Sequence, residues 1–352
     1  MGKGKPQLFF ILGRPRSGTT LLRTLLDAHP QVKVPPEYPV VLQLYKKYGR
    51  IRQWDETTLE EFKKDFRSPL SSKNWNYNFL RIDERQLNVD LKSLLPNTTF
   101  EEVFKCFYLN YTSVIPGKEV IKHIGDKNPI FATHAFRLHK IFPNAKFIFI
   151  FRDYRDNFLS VKKFRFEAPV LALQAYRWKY VARLAYQFSK KFPLQTFIAR
   201  YEDLTREPEK ILNQICNFLG IPYDGRMLDY SAYSSKYSEF VDLELLNQFH
   251  SGLHSPIQTS SSGKWIKEMK EEEIKTADQV VGRYAERIGY LRVNKKFHPI
   301  TWIKTTPWQL YGFVLYQMMS IAEFLPASLR HSFSMALPKL TNTYHKWFKK
   351  QK

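Results

Sequence analysis

Short apolar runs occur along the chain within the segments 7–12, 146–151 and 195–199. Each run is followed by turn or capping residues, and helical segments with regularly recurring apolar positions lie between the runs. Short continuous runs of this kind are typical of parallel strands that are buried on both faces. Strands that alternate with helices predict an α/β fold, in which a central parallel sheet is flanked by helices in a three-layer sandwich.

Helices are predicted over three segments that end next to proline or glycine: 17–28, 130–141 and 208–219. Proline cannot continue a helix, and glycine readily takes the left-handed conformation that closes one. Between 39 and 122 the pattern is helical and polar-aromatic without a strand repeat. We interpret that segment as a helix-rich insertion into a domain that covers residues 1–295.

The composition changes near residue 296, where a basic, aromatic appendage begins and runs to residue 352. It carries eight lysines and arginines against one acidic residue, Glu323. Residues 308–325 reach the lower limit of transmembrane length, but their glutamines and Glu323 argue against a span. Two interpretations stay open: an interfacial helix on an anionic membrane surface, or a helical layer packed on the domain or on a second subunit in a homodimer.

The net charge of +22 predicts attraction to a polyanion such as a nucleotide, a nucleic acid or an anionic membrane. No zinc-ligand pair, aromatic RNA-binding motif or basic heptad region occurs, so nucleic acid is the least favoured partner. The two cysteines, Cys106 and Cys216, predict neither a disulfide framework nor a zinc site. The apolar run at the N-terminus is too short for a signal peptide, which predicts a cytoplasmic protein that is peripheral at the inner membrane face if the appendage binds lipid.

A Gly-x4-Gly loop follows the first strand directly and leads into the first helix. In such a loop the backbone N–H groups and the helix N-terminus converge on a phosphate. The candidate binding residues are Arg14, Arg16, Ser17, Gly18, Thr19 and Thr20. A Walker A loop would carry lysine where Thr19 stands, so the P-loop-like segment suits the binding of an existing phosphate better than ATP hydrolysis.

Five sequence islands in fixed order resemble the PAPS-dependent sulfotransferases, where PAPS is 3′-phosphoadenosine 5′-phosphosulfate. In motif style they are similar to the tyrosylprotein-sulfotransferase-like and bacterial branch. The islands are Pro15-Arg16-Ser17-Gly18-Thr19-Thr20-Leu21 with Leu26-Asp27-Ala28-His29-Pro30, Gly125-Asp126-Lys127-Asn128-Pro129, Phe151-Arg152-Asp153-Tyr154-Arg155-Asp156, Tyr201-Glu202-Asp203-Leu204 and Gly263-Lys264-Trp265. The resemblance implies PAPS as co-substrate, PAP (adenosine 3′,5′-bisphosphate) as product and no metal.

A second phosphate site is expected at the end of the strand 146–151. The resemblance implies that Arg152 and Ser160 hold the 3′-phosphate. Arg152 also has its own physical support, since open α/β sheets bind ligands at the carboxyl ends of their strands and arginine recognises phosphate with two parallel hydrogen bonds. The alternative is that Arg152 pairs on the surface with Asp153 or Asp156.

The resemblance also implies roles in sulfuryl transfer for Glu37, Lys127 and Arg16. Glu37 stands where tyrosylprotein-type enzymes carry a catalytic glutamate, although its neighbours Pro36 and Tyr38 depart from their Gly-Glu-Glu-Thr run. It would act as the general base, and Lys127 would polarise the bridging oxygen. Weaker candidates for the nucleotide pocket are Tyr201, Ser262 and Lys264, and the alternative bases are His29 and His123.

The expected reaction is therefore in-line transfer of a sulfuryl group from PAPS to an acceptor hydroxyl on a lipid, a glycan or another small molecule. Two other functions stay open at this point. One is a P-loop nucleotide or sugar kinase, which would require ATP and Mg²⁺. The other is a non-catalytic, membrane-associated anion-binding protein.

Overall fold

The computed structural model describes residues 5–68, 77–163, 167–233, 257 and 259–322. The chain divides into two compact units. The first comprises Met1–Arg152 and Leu184–Ser261, and the second comprises Asp153–Arg183 and Ser262–Lys352. Neither unit begins or ends near residue 295, so the domain boundary expected there stays a prediction.

The first unit contains a five-stranded sheet in the order β2-β3-β1-β4-β5, and every neighbouring pair is parallel. The strands are β1 (Gln7–Leu12), β2 (Val32–Lys33), β3 (His123–Lys127), β4 (Lys146–Phe151) and β5 (Thr196–Arg200). The three predicted strands are confirmed. β2 and β3 were not predicted, because β2 has two residues and β3 reads His-Ile-Gly-Asp-Lys, which lacks an apolar run.

Helices of the first unit cover both faces of this sheet, so the predicted α/β sandwich is confirmed. They are α1 (Thr19–Ala28), α2 (Val41–Tyr48), α3 (Glu56–Arg67), α4 (Glu84–Ser93), α5 (Phe100–Leu109), α6 (Ala135–Ile141), α9 (Tyr201–Arg206) and α10 (Pro208–Leu219). α8 (Leu171–Lys191) starts in the second unit and ends in the first. The predicted helix 130–141 is in fact a 3-10 turn, Pro129–Thr133, followed by α6.

Alternate residues of β1 and β4 pack on opposite layers. Phe9, Ile11, Ile148 and Ile150 belong to a core cluster with the apolar faces of α1 and α10. On the opposite face Phe10 stacks on Phe147 at 5.3 Å between ring centroids. Because each strand buries both of its faces, its sequence reads as a continuous apolar run.

The insertion between β2 and β3 is helical, as expected. Its helices α2 to α5 enclose an aromatic cluster in which Phe66 and Phe107 stack 4.0 Å apart. Side-chain caps begin three of these helices, with Asp55 on α3, Asp83 on α4 and Thr99 in a capping box on α5. Aromatic packing and capping together explain why the described part of this polar-aromatic segment, which leaves out residues 69–76, folds as helices.

The second unit is helical in its described part. Besides the start of α8 it contains α7 (Tyr154–Lys162), α11 (Trp265–Glu268), α12 (Glu271–Val281), α13 (Tyr284–Arg287) and α14 (Pro299–Ala322). α14 begins at Pro299 and runs through Pro307, so it starts nine residues before the apolar stretch 308–325. Residues 323–352, including the basic and aromatic positions of the predicted tail, lie outside the described residues. Among the described helices none combines the length and apolar character that crossing a membrane would need.

Candidate active site

The loop between β1 and α1 turns sharply and holds two residues in left-handed conformations. Ser17 N–H donates to the carbonyl of Arg14 over 3.2 Å, Arg16 has φ 66° and Gly18 has φ 90°. A Cβ added to Gly18 would lie 2.4 Å from the ring of Tyr201. The position therefore requires glycine for conformation and for space. A left-handed arginine is costly, and such strain is found at ligand-binding loops.

Three polar residues of this loop are buried and two are partly exposed. Arg14, Ser17 and Thr19 are buried, whereas Arg16 and Thr20 are partly exposed. α1 has Gly18 at its N-cap, which brings no side chain to cap the first backbone N–H groups. The helix N-terminus and two arginines thus present positive potential at one place, which fits an anion.

Arg152 follows the last residue of β4 and reaches the loop. Its Nη1 donates to the carbonyl of Arg16 over 3.4 Å and its Nη2 donates to the carbonyl of Ser261 over 2.5 Å. Its guanidinium lies 5.2 Å from the ring centroid of Tyr201, the first residue after β5. The structure therefore places the two expected phosphate-binding arginines, Arg16 and Arg152, at one edge of the sheet in the first unit.

The positive charges of Arg16 and Arg152 repel each other. Burial, and secondarily the charge of Arg152, lowers the pKa of Arg16 to about 10. An anion that binds between or beside the two arginines would reduce this repulsion. The geometry and the pKa of Arg16 both indicate an anion-binding site at this edge.

Glu37 and Lys127 form an ion pair at the same edge of the sheet. Lys127 is the last residue of β3, and its Nζ lies 2.8 Å from Glu37 Oε2 and 3.4 Å from Thr20 Oγ1. The lysine side chain is 4% exposed and the glutamate 26%. The structure thus brings together Glu37 and Lys127, two of the three residues to which catalytic roles were assigned, and connects them to the N-terminus of α1.

The loop that carries Glu37 is fixed on both sides. Arg23 Nε donates to the carbonyl of Val34 over 2.7 Å, and the amide of Val34 donates to Asp27 Oδ1 over 2.9 Å. On the other side the hydroxyl of Tyr38 donates to the carbonyl of Phe66 over 2.6 Å. These contacts restrict the backbone around Glu37.

Sequence analysis missed Arg23 and Asp27 as supports of this loop. Both are buried on α1, where Asp27 also accepts hydrogen bonds from Ser113 at 2.6 Å and Tyr111 at 3.2 Å. The available signal was the arginine and aspartate four residues apart within an apolar helix. Buried charged side chains normally have specific partners. Arg23 and Asp27 both contact Val34, in the loop before Glu37.

Asp126, the neighbour of Lys127, was also missed. It is buried, and it accepts hydrogen bonds from the hydroxyl of Tyr108 at 3.2 Å and from the side-chain amide of Asn128. Burial raises the pKa of Asp126 to about 7, against the opposing effect of these hydrogen bonds. A carboxyl that changes charge near neutral pH therefore lies beside the Glu37–Lys127 pair.

The alternative bases have structural contacts instead. His29 Nε2 lies 2.9 Å from the carbonyl of Pro222, and its Nδ1 accepts the amide of Gln31 at 3.0 Å. His123 is buried at the amino end of β3, four residues and about 13 Å of strand from Lys127. The ring nitrogens of His29 are engaged, and His123 lies at the edge of the sheet opposite Lys127.

The remaining predicted residues belong to the second unit. Ser160 lies on α7, one helical turn after Asp156. The carboxylate of Asp156 accepts the amides of Gly263 at 2.6 Å and Trp265 at 2.9 Å, which fixes the segment carrying Ser262 and Lys264 beside α7. The assignment of Ser160, Ser262 and Lys264 to the nucleotide site stays a prediction, as does the function of Tyr201 in the first unit.

Comparison with known proteins decides the family. The profile of the sulfotransferase family matches residues 6–225, which include the loop, Glu37, Lys127, Arg152 and Tyr201. The chain belongs to the sulfotransferase family. Within this family it is similar to protein-tyrosine sulfotransferase 1 of Danio rerio, at 24% identity over 80% of this chain and 72% of the relative. The protein-tyrosine sulfotransferase of Drosophila melanogaster is 25% identical over 74% of this chain and 47% of its own length.

Solved structures of the sulfotransferase family share the fold. The sulfotransferase domain from the curacin biosynthetic pathway aligns with a TM-score of 0.51 at 22% identity, over 82% of this chain and 99% of that domain. The sulfotransferase domain from the Synechococcus PCC 7002 olefin synthase gives 0.50 at 22% identity, over 79% and 94%. Among the described residues of this chain, there is no cluster of three or more histidine, cysteine, aspartate or glutamate side chains that could hold a metal ion.

Proposed function

We propose that this protein transfers a sulfuryl group from PAPS to an acceptor hydroxyl, with Glu37 as the general base. The observation that carries the proposal is the convergence of Arg16, Arg152 and the Lys127–Glu37 pair at the carboxyl edge of one sheet. Membership of the sulfotransferase family supports the same reaction.

The residues present fit a nucleotide that carries separate phosphate groups. The loop from Arg14 to Thr20 and the N-terminus of α1 suit the 5′-phosphosulfate. Arg152 suits the 3′-phosphate. It directly follows β4, the strand next to β1, and its planar guanidinium can donate two parallel hydrogen bonds to one phosphate. The carbonyl of Arg16 accepts from Arg152, which couples the two phosphate sites in the protein itself.

Each residue has a distinct task in the proposed reaction. When bound, PAPS supplies the sulfuryl group and a phosphate leaving group. Glu37 accepts the proton of the acceptor hydroxyl as the new O–S bond forms. Lys127 and Arg16 supply fixed positive charge for the negative charge that develops on the departing oxygen, which is the kind of electrostatic stabilisation that lowers barriers most.

The acceptor is proposed as a hydroxyl compound, and the relatives favour one class for the first trial. The names of the relatives state that they act on protein tyrosine. A tyrosyl peptide is therefore a rational first acceptor, beside lipid and glycan alcohols. All of these are hydroxyls whose proton Glu37 would take.

Transfer of labelled sulfate from PAPS tests the proposal. Purified protein is incubated with labelled PAPS and separate peptide, lipid and glycan fractions, and wild type is compared with Glu37→Gln. Loss of the base is expected to lower the transfer rate by about 10²–10⁴-fold. Glu209→Gln on the exposed surface of α10 is the matched control and should retain wild-type transfer.

PAP affinity separates a catalytic defect from a binding defect. Glu37→Gln should bind PAP like wild type, because Arg16 and Arg152 are unchanged. Equal transfer by wild type and Glu37→Gln would remove Glu37 from the role of base. Absence of transfer to every fraction by a protein that still binds PAP would instead favour a non-catalytic anion-binding function.

A further inference from the structure

α14 is oriented with its apolar side chains pointing outward. Its buried face carries small or polar residues and one tyrosine: Thr301, Thr305, Gly312 and Tyr316. Ile300, Ile303, Leu310 and Ile321 are between 59% and 69% exposed. A helix that faces only water and its own unit normally shows the reverse arrangement.

The contacts of the buried face explain this orientation. A Cβ on Gly312 would lie 2.6 Å from the ring of Tyr176, so α14 approaches α8 closely at that position. Tyr316 stacks on Tyr180 at 4.2 Å between ring centroids, and Arg177 Nε donates to its hydroxyl over 3.4 Å. Because these contacts lie within the second unit, they fix which side of α14 points outward.

The exposed apolar residues lie on one side of α14, where the exposed Gln317 is a polar interruption. At 100° per residue they span an arc of about 160° along more than five turns of helix. We call this the outer face of α14; its exposed apolar members are Ile300, Trp302, Ile303, Leu310, Phe313, Val314 and Ile321. Exposed apolar surfaces of this extent mark contact sites rather than ordinary protein surface.

The side chains around the outer face of α14 are positively charged, which favours a negatively charged partner. Lys295, Lys296 and Lys304 are exposed at the beginning of α14, and no aspartate or glutamate occurs between Arg292 and Ala322. A second copy would bring the same positive charge to the interface, on a chain whose net charge is already +22. An anionic lipid surface has the complementary charge and accepts apolar side chains as well.

We propose that the outer face of α14 binds the surface of an anionic lipid bilayer, with the helix lying in the plane of the interface. The isoleucine, leucine and valine side chains enter the boundary between headgroups and acyl chains. Trp302 lies at headgroup depth, where indole rings are favoured. The lysines beside the face contact lipid phosphates, and their aliphatic stems allow the charged ends to remain in water.

Vesicle co-sedimentation of the full chain tests this interface. The triple variant Ile303→Gln, Leu310→Gln, Val314→Gln is compared with wild type on phosphatidylcholine vesicles with and without phosphatidylglycerol. Wild type should sediment with the anionic vesicles and the triple variant should lose at least about tenfold in partition coefficient. Leu194→Gln is the matched control, because Leu194 is 88% exposed in the first unit and should leave partitioning unchanged.

Two further readouts separate lipid from other occupants of the face. The triple variant should keep the wild-type melting temperature and the wild-type sedimentation coefficient without vesicles. A clearly lower melting temperature would mean that the chain itself covers the face, and dissociation of a wild-type dimer would mean that a second copy does. Either result, or equal vesicle binding by variant and wild type, overturns the proposal. The far-ultraviolet circular dichroism spectrum of the triple variant, compared with that of wild type, serves as the check of folding.

Discussion

Gly18 shows at the scale of one residue how the anion site depends on space. Alanine there must adopt φ 90° and must displace the ring of Tyr201, which lies beside Arg152. We expect Gly18→Ala to lower PAP affinity at least about tenfold, because the loop and the aromatic ring both move. Isothermal titration with PAP measures this loss.

Gly220 supplies the matched control for Gly18. It has φ 83° at the end of α10, and a Cβ there would meet nothing within 4 Å. Gly220→Ala should therefore cost only about 1–2 kcal/mol of unfolding free energy and leave PAP affinity unchanged. Equal PAP affinity in wild type and Gly18→Ala would show that contact with Tyr201 does not shape the site.

Single site residues could be predicted from the sequence where they belong to a short contiguous motif. The glycines, arginines and threonines of the loop are contiguous, and Arg152 follows an apolar strand, so their locations could be predicted. The contact of Lys127 with Glu37 joins residues 90 positions apart. Only the sheet order, which sets β3 beside β2, the strand that precedes Glu37, brings them together, and the sequence contains no local record of that order.

β3 illustrates how one element can carry opposite responses to pH. Burial lowers the pKa of His123, at its amino end, from 6.5 to about 4, and neighbouring cations add to the effect. Burial raises the pKa of Asp126, near its carboxyl end, from 3.8 to about 7. Between pH 4 and 6.5 the unfolded chain binds more protons at His123, whereas the folded chain binds more at Asp126.

His123→Leu separates the two contributions. Wild-type stability gains from His123 as pH rises from 4 to 6.5, by up to about 3 kcal/mol, and Asp126 opposes that gain. The variant should lose the His123 contribution, so the stability difference between wild type and variant should change with pH in this window and be constant above pH 7. Urea unfolding at several pH values measures it. A difference that is the same at every pH would show that His123 titrates normally in the folded protein.

The elements themselves were predictable to different degrees. β1, β4, β5, α1 and α10 have apolar patterns with clear ends and were predicted close to their observed bounds. β2 and β3 escaped because their stability comes from pairing with neighbours rather than from their own composition. The apolar stretch 308–325 did not reveal where α14 begins. The helix passes through Pro307, whereas a proline usually marks a helix boundary.

At the scale of the whole molecule, we propose two anionic ligands for the excess of positively charged side chains. In the first unit, buried or partly buried arginines at the sheet edge suit a nucleotide with two phosphate groups. In the second unit, lysines beside the outer face of α14 suit anionic lipid. A cytoplasmic location and a homodimer stay predictions. The charge alone could not distinguish these uses, because composition does not say which cations are buried.

The most direct measurement of the central claim is a titration of two nucleotides into wild type and Arg152→Met. PAP carries the 3′-phosphate and adenosine 5′-monophosphate lacks it. Wild type should prefer PAP, and Arg152→Met should lose about 10- to 100-fold in PAP affinity while binding the monophosphate like wild type. A wild type that binds both nucleotides equally, or that binds ATP with Mg²⁺ more tightly than PAP, would contradict the assignment of one bisphosphorylated nucleotide to the two arginine-bearing strand ends.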